Sequence, residues 1–207
     1  MKITKIERHK GRKALYDLYS DDIFLFTIHE DTLVHFTLQR GKEFTDAELR
    51  KIQKYDEVMQ CTHQAYRYLS RRPHLTAELR RKLRQKAYAK EIINRALQII
   101  QKQNYLNDSD FIERYIRDEM TLKHNGPLRI KNNLLQKGAR AEDIEHLLQK
   151  IYSDRQVIEN ARLQMNKKLA TLKDSGPQKK RQKLIRFLQQ KGFSWQTIGQ
   201  LSIRDLE

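Results

Sequence analysis

Apolar residues stand four apart in three separate stretches of the chain, and each stretch runs on to the same ending. The first reads Leu79, Leu83, Lys86, Ala87, Tyr88, and the second Ile130, Leu134, Lys137, Gly138, Ala139. The third reads Leu184, Leu188, Lys191, Gly192, Phe193. Apolar positions four apart share one face of a helix. Seven residues after each lysine comes an isoleucine: Ile93, Ile144 or Ile198. The lysines are 51 and 54 residues apart, the spacing of a helical-array repeat. The three prolines keep the same period, since Pro73, Pro127 and Pro177 precede their lysines by 13, 10 and 14 residues.

Each position in the pattern has a physical reason. Proline suits a helix start, where its missing N–H is not needed. The lysine closes the helix at the negative end of its dipole. The next residue takes the left-handed conformation that stops a helix, for which glycine is preferred. The residue after that packs back on the one five before it, pairing Ala139 with Leu134, Phe193 with Leu188 and Tyr88 with Leu83. Ala87 stands where glycine is preferred, at a cost of about 1–2 kcal/mol if it is left-handed. A further helix precedes each proline: Tyr55 to Leu69, then Phe111, Ile112, Tyr115 and Ile116, then Val157, Ala161 and Met165. Each unit is thus helix, Pro-bearing turn, helix, Lys-Gly turn, helix. Three short helices bury little alone, so neighbouring units should touch.

The first fifty residues differ. Ala14 to Tyr19 and Ile23 to Ile28 flank Ser20-Asp21-Asp22, a hairpin signal. Ile3 to Ile6 adds a third strand to a small antiparallel sheet. Asp31 to Gly41 reads as a short helix ended by Gly41, and Thr45 with Glu48 forms a capping box that opens the next helix.

Composition narrows the picture. The 207 residues carry a net charge of +16, one third of them are charged, and 38% are hydrophobic. Such a chain suits a thin, elongated helical protein better than one thick core. The charge is uneven. Residues 14–66 carry −5, whereas 67–100 carry +8, 123–140 carry +5 and 167–193 carry +8, so the basic blocks coincide with the repeated stretches. A solvated helix face would explain one such block, but three in register point to anionic partners. The basic residues flanking the apolar positions are the candidate binding set: Arg71, Arg72, Arg81, Lys82, Arg129, Lys131, Lys180, Arg181 and Arg186.

A single cysteine, Cys61, excludes an internal disulfide and fits a reducing cytosol. No apolar run reaches membrane-spanning length and no signal peptide opens the chain, so a cytoplasmic protein without a membrane partner is expected. A monomer is expected too, since no long heptad pattern is present. The sequence holds no phosphate-binding glycine loop, nucleophile elbow, paired-cysteine zinc spacing or His-Glu-x-x-His, and no catalytic residue, metal or cofactor is expected. His29-Glu30-Asp31 and Glu142-Asp143-Glu145-His146 read as solvated helix starts rather than metal sites. Cys61 reads as a small buried apolar residue, and Trp195, beside Phe193, as core. Tyr66 to Pro73 fits a packed helix and an Arg-Tyr nucleic-acid surface equally well.

Four stretches carry a resemblance: YLSRRPHLTAELRRKL (68–83), NYLNDSDFIERYI (104–116), NGPLRIKNNLLQKG (125–138) and FLQQKGFSWQTI (187–198). In this order they resemble the RecX family, regulators of the bacterial RecA recombinase. The match runs from about Tyr66 to the end, and the amino-terminal hairpin resembles the extension of longer members. The resemblance implies a mainly α protein whose tandem three-helix repeats form a curved elongated array, with a small amino-terminal antiparallel sheet. The expected divisions are an extension over residues 1–50 and modules over 51–103, 104–152 and 153–207. The implied partner is the RecA filament on single-stranded DNA, with the DNA met directly or through the filament. The implied action is inhibition of filament extension, ATP hydrolysis, strand exchange and the co-protease activity behind the SOS response, and so regulation of homologous recombination and DNA repair. The alternative is a stand-alone basic helical-repeat protein that binds nucleic acid without a protein partner.

Overall fold

In the computed structural model the described residues are 1–11, 14–172 and 176–201, so the end of the third expected module (202–207) lies outside them. The chain begins with three antiparallel strands in the order β1 (Lys5–Arg8), β2 (Leu15–Ser20), β3 (Ile23–His29). Register runs from Lys5 opposite Tyr19 to Arg8 opposite Tyr16, and from Leu15 opposite His29 to Ser20 opposite Ile23. Asp21 and Asp22 make the two-residue turn with φ of 46° and 61°, the left-handed pair whose twist matches that of the strands. The first strand starts two residues later than the pattern predicts. Ile3 is drawn off by another segment: its N–H donates to Lys42 O at 2.9 Å, and its carbonyl accepts from Gly41 N at 2.8 Å. Ile3, Leu18, Ile28, Leu38 and Ile52 bury one face of this sheet.

The first helix, α1 (Glu30–His35), stops short of the expected end at Gly41. Thr37 turns left-handed (φ 48°) and Leu38 N–H reaches back to Leu33 O at 2.9 Å. Leu38 is 4% exposed, so burying it on the sheet outweighs the local preference for glycine. Helix α2 (Asp46–Leu69) opens on the expected capping box, Thr45 and Glu48 exchanging both hydrogen bonds. It runs past residue 50 and serves two cores. Ile52 joins the sheet, while Val58, Cys61 and Ala65 join Leu79, Leu83, Ile93 and Leu97. Cys61 is fully buried, which pushes its thiol pKa up to about 12. Buried Asp56 fastens α2 to the sheet corner by accepting from His29 N and Thr32 Oγ1, each at 2.7 Å.

The remaining helices come in the expected sets: α3 (Thr76–Gln85) and α4 (Lys90–Lys102) after α2, then α5 (Asp108–Thr121), α6 (Pro127–Lys137) and α7 (Ala141–Ile151). The last set is α8 (Asp154–Leu169), α9 (Pro177–Gln190) and the short α10 (Trp195–Gly199). Pro127 and Pro177 are the first residues of their helices. Pro73 is not: it lies in the turn, and Leu75 is the N-cap of α3. The helix stops form as the spacing predicts. Gly138 and Gly192 have φ of 93° and 88°, Ala139 N donates to Leu134 O at 3.0 Å, and Phe193 N to Leu188 O at 3.1 Å. Ala87 is left-handed as well (φ 63°), without the glycine.

Two compact units result, the first Met1–Leu106 and the second from Asn107 onward. Inside the second unit the middle and third modules interlock through backbone. Gly126 N donates to Lys191 O at 2.7 Å and Leu128 N to Gly192 O at 3.1 Å, so the Lys-Gly turn of the third module caps the start of α6. A Cβ at Gly126 would lie 2.4 Å from Gly192 O, and one at Gly192 2.3 Å from Arg129 N. Behind this joint Asn160 of α8 donates to Met120 O (2.9 Å) and Tyr152 Oη (2.7 Å), and the Tyr152 hydroxyl donates to Asn125 O (3.1 Å).

Candidate functional site

The nine basic residues chosen from the repeat fall into two groups. Arg71, in the turn after α2, and Arg81, on α3, are exposed; so are Arg181 and Arg186 on α9, with Lys180 half-exposed beside them. None of these five forms an ion pair among the described residues. The other four are tied into the fold. Arg72 pairs with the carboxylate of Glu78, a residue only 5% exposed, and donates to Pro73 O at 3.1 Å. Lys82 lies 2.9 Å from His74 Nε2 and 5.0 Å above the Tyr68 ring. Arg129 donates to Gln190 O at 2.9 Å, across the joint with the third module. Lys131 pairs with Glu145 of α7.

The first module therefore has a polar knot under its basic turn. His74 is 4% exposed, and its Nδ1 lies 2.8 Å from Arg72 O. That carbonyl requires a proton on Nδ1, leaving Nε2 to accept from Lys82. Burial lowers the His74 pKa below its ordinary value, so the ring is neutral as this arrangement demands.

All five basic residues of 123–140 are engaged. Lys123 pairs with buried Glu119, Arg140 with Asp143, and Lys137 lies 5.7 Å above the Tyr115 ring, in addition to Arg129 and Lys131. Burial alone would raise the Glu119 pKa, but hydrogen bonds from Lys123 and Asn125 outweigh it and hold the carboxyl below its ordinary range. Lys191 lies 5.5 Å above Phe187, and burial, then nearby Arg129, lowers its pKa. The middle basic block thus belongs largely to the architecture, and the first and third modules hold the freer cations.

One expectation about aromatics changes with the structure. Trp195 is 66% exposed rather than core: Phe193 alone fills the interior (1% exposed), because the left-handed turn at Gly192 sends the chain back at that residue. Tyr66 and Tyr68 pack against the first module's core, as a packed helix requires, while Arg67 and Arg71 of the same stretch are exposed. Pattern reading also missed that α2 brings His63 to the start of α1. Its Nε2 lies 2.7 Å from Asp31 Oδ2, and its ring stacks on His29 at 3.9 Å. His29, Asp31 and His63 place their donor atoms within 4.8 Å of one another. The imidazoles lie face to face at 19°, so their in-plane lone pairs do not converge on one ion, and the cluster is a hydrogen-bonded corner. Adjacency of His29 and Asp31 is visible in sequence, but a partner 32 residues away is not.

Comparison with known proteins places this arrangement. Family models match in chain order: the RecX N-terminal domain at residues 1–45, then the first, second and third RecX three-helix domains at 61–98, 107–148 and 154–201. The chain is 31% identical over 194 residues to the regulatory protein RecX of Listeria monocytogenes serovar 1/2a, covering 94% of this chain and 72% of that one. It is 31% identical over 200 residues to that of Staphylococcus carnosus, covering 96% and 74%. A crystal structure of regulatory protein RecX superposes with a TM-score of 0.77 at 26% identity, covering 99% of this chain and 98% of the other. RecX from Lactobacillus salivarius gives a TM-score of 0.64 at 26% identity, covering 72% and 96%. No described helix is long and apolar enough to cross a membrane. With three repeated helix stops, three three-helix modules and an amino-terminal sheet all matched in order, the chain belongs to the RecX family of regulatory proteins.

Proposed function

We propose that this protein is a non-catalytic regulator that binds the RecA filament on single-stranded DNA and restrains its extension. On this reading ATP hydrolysis, strand exchange and co-protease activity fall together, and the protein works as a cytoplasmic monomer. The observation that carries the reading is the solvent-facing cations of the first and third modules: Arg71 and Arg81 in the one, Arg181 and Arg186 in the other, with Lys180 half-exposed beside them. A nucleoprotein filament presents periodic negative charge, and repeated cations are its complement. The relatives are named regulatory proteins, which supports a role without chemistry of its own.

The test is inhibition of RecA ATPase on single-stranded DNA, with the nine basic residues reversed one module at a time. Reversals in the first and third modules should each weaken inhibition, and most strongly together. Each lost phosphate contact should lower the salt dependence by roughly 0.7 of a unit of slope on a single strand. Intact inhibition at moderate salt with all nine reversed would overturn the electrostatic reading. Exposed Trp195, on the same module as Arg181 and Arg186, favours a second reading: a nucleic-acid binder that needs no recombinase. Pull-down on single-stranded DNA with and without RecA separates the two.

A further inference from the structure

The first unit holds an open groove of about 420 Å³ where the end of α1 meets α2 and α4. Four cations line it: Lys51 and Lys54 from α2, Arg95 and Lys102 from α4. Arg95 and Lys102 are two helical turns apart, about 10 Å along α4. No carboxylate is among the lining residues, and none of the four cations forms an ion pair among the described residues. Four like charges on one groove repel one another, and no ion pair among the described residues offsets them, although Glu48 beside Lys51 tempers the field. They make sense if something anionic lies between them.

The groove also has an aromatic end. His35 and Tyr55 stack at 4.3 Å with 7° between their planes, and Phe36 stands edge-on to both at 4.9 and 5.3 Å. Tyr55 is half-buried and His35 exposed, so the open end of the stack is the imidazole. Unpaired cations beside an open ring stack are the parts of a single-strand seat, phosphates on the former and a base on the latter. An acidic peptide would need the cations but would leave the stack unused. A duplex, about 20 Å across, does not fit between two packed helices, and its bases are not available for stacking.

We infer that this groove seats a short segment of single-stranded nucleic acid, its phosphates held by Lys51, Lys54, Arg95 and Lys102 and one base stacked on His35. The seat is separate from the basic turns of the modules. It deepens the filament reading by giving the strand a direct contact, but its test uses the protein without recombinase, so the two readings fail separately.

The experiment is fluorescence anisotropy of a labelled oligothymidylate with the full chain, titrated with salt, each variant first checked by thermal melting. Arg95→Glu with Lys102→Glu should weaken binding at least tenfold and lower the log–log salt slope by about 1.4, roughly 0.7 per phosphate contact on a single strand. His35→Ala should weaken binding about fivefold or more with the slope unchanged, and should have no effect on an abasic strand of the same length. Unaltered affinity and slope in the double reversal overturn the seat. An effect of His35→Ala that persists on the abasic strand overturns the stacked base. Displacement of the oligonucleotide by a duplex at equal affinity, or binding of poly-glutamate but not oligothymidylate at the groove, assigns it to another partner and overturns the inference.

Discussion

The middle and third modules share a sequence pattern yet use it differently. Both have a proline-started helix, a lysine and a left-handed glycine. In the middle module every basic side chain of 123–140 has a partner within the protein, whereas Arg181 and Arg186 of α9 are exposed and form no ion pair among the described residues. The turn at Gly192 is pressed against the start of α6, and its backbone carbonyls accept from the N–H groups of Gly126 and Leu128. A repeat conserves the local geometry of its turns, while neighbours decide which copy is buried in a joint and which faces solvent.

Glycine substitution should separate the two most widely. Gly192→Ala combines a left-handed φ with a Cβ 2.3 Å from Arg129 N, and should cost about 3 kcal/mol or more. Gly138→Ala, at a left-handed φ of 93°, should cost less, about 1–2 kcal/mol for the conformation. Urea unfolding of both variants reads the difference, and equal losses would remove the joint from the explanation.

Charge reversal sharpens the contrast in function. Arg181→Glu with Arg186→Glu should weaken filament inhibition about tenfold with little change in melting temperature. Lys131→Glu faces Glu145 and should lower stability by roughly 1 kcal/mol, with the smaller effect on inhibition. The reverse order would mean that the middle module carries the binding.

Acid probes the middle module through Glu119. The Glu119 pKa is depressed, so its contribution is present above its ordinary value of 4.5 and is lost as pH falls through the lower folded-state value. Glu119→Gln should destabilise by about 1–2 kcal/mol at neutral pH, and its deficit relative to the parent should shrink below pH 4.5. A deficit independent of pH would mean that packing, not charge, sets the role of Glu119.

The smallest effect is expected in the first module. Ala87 is left-handed at about 1–2 kcal/mol, and glycine would return about 0.5–1 of that as unfolded-state entropy. Ala87→Gly should therefore stabilise by up to about 1 kcal/mol in thermal melts, and a loss would show that the methyl group packs usefully.

Signals confined to one turn of chain were readable from residues alone. The pairing of Phe193 with Leu188, the Thr45–Glu48 box and the Asp21-Asp22 hairpin each involve partners within six residues, where spacing fixes geometry. Features that depend on distant partners were not. α1 ends at His35, with the chain turning at Thr37, because Leu38 finds the sheet core, and Ile3 leaves β1 because Gly41 and Lys42 compete for its backbone. The groove cations Lys51 and Lys54 were hidden by a segment charge of −5, since counting along the chain averages charges that folding sorts onto different faces.

The sequence by itself determined the number of modules, their helix starts and stops, the left-handed positions and the family, because these follow from periodicity and from conformational limits acting within a few residues. Tertiary structure alone decided which cations are consumed, why Gly126 and Gly192 must both lack a side chain, that Trp195 faces outward, and that α1, α2 and α4 share a basic groove. Those outcomes depend on which surfaces meet, and a chain declares its contacts only once its packed helices exclude water from some faces and leave others open.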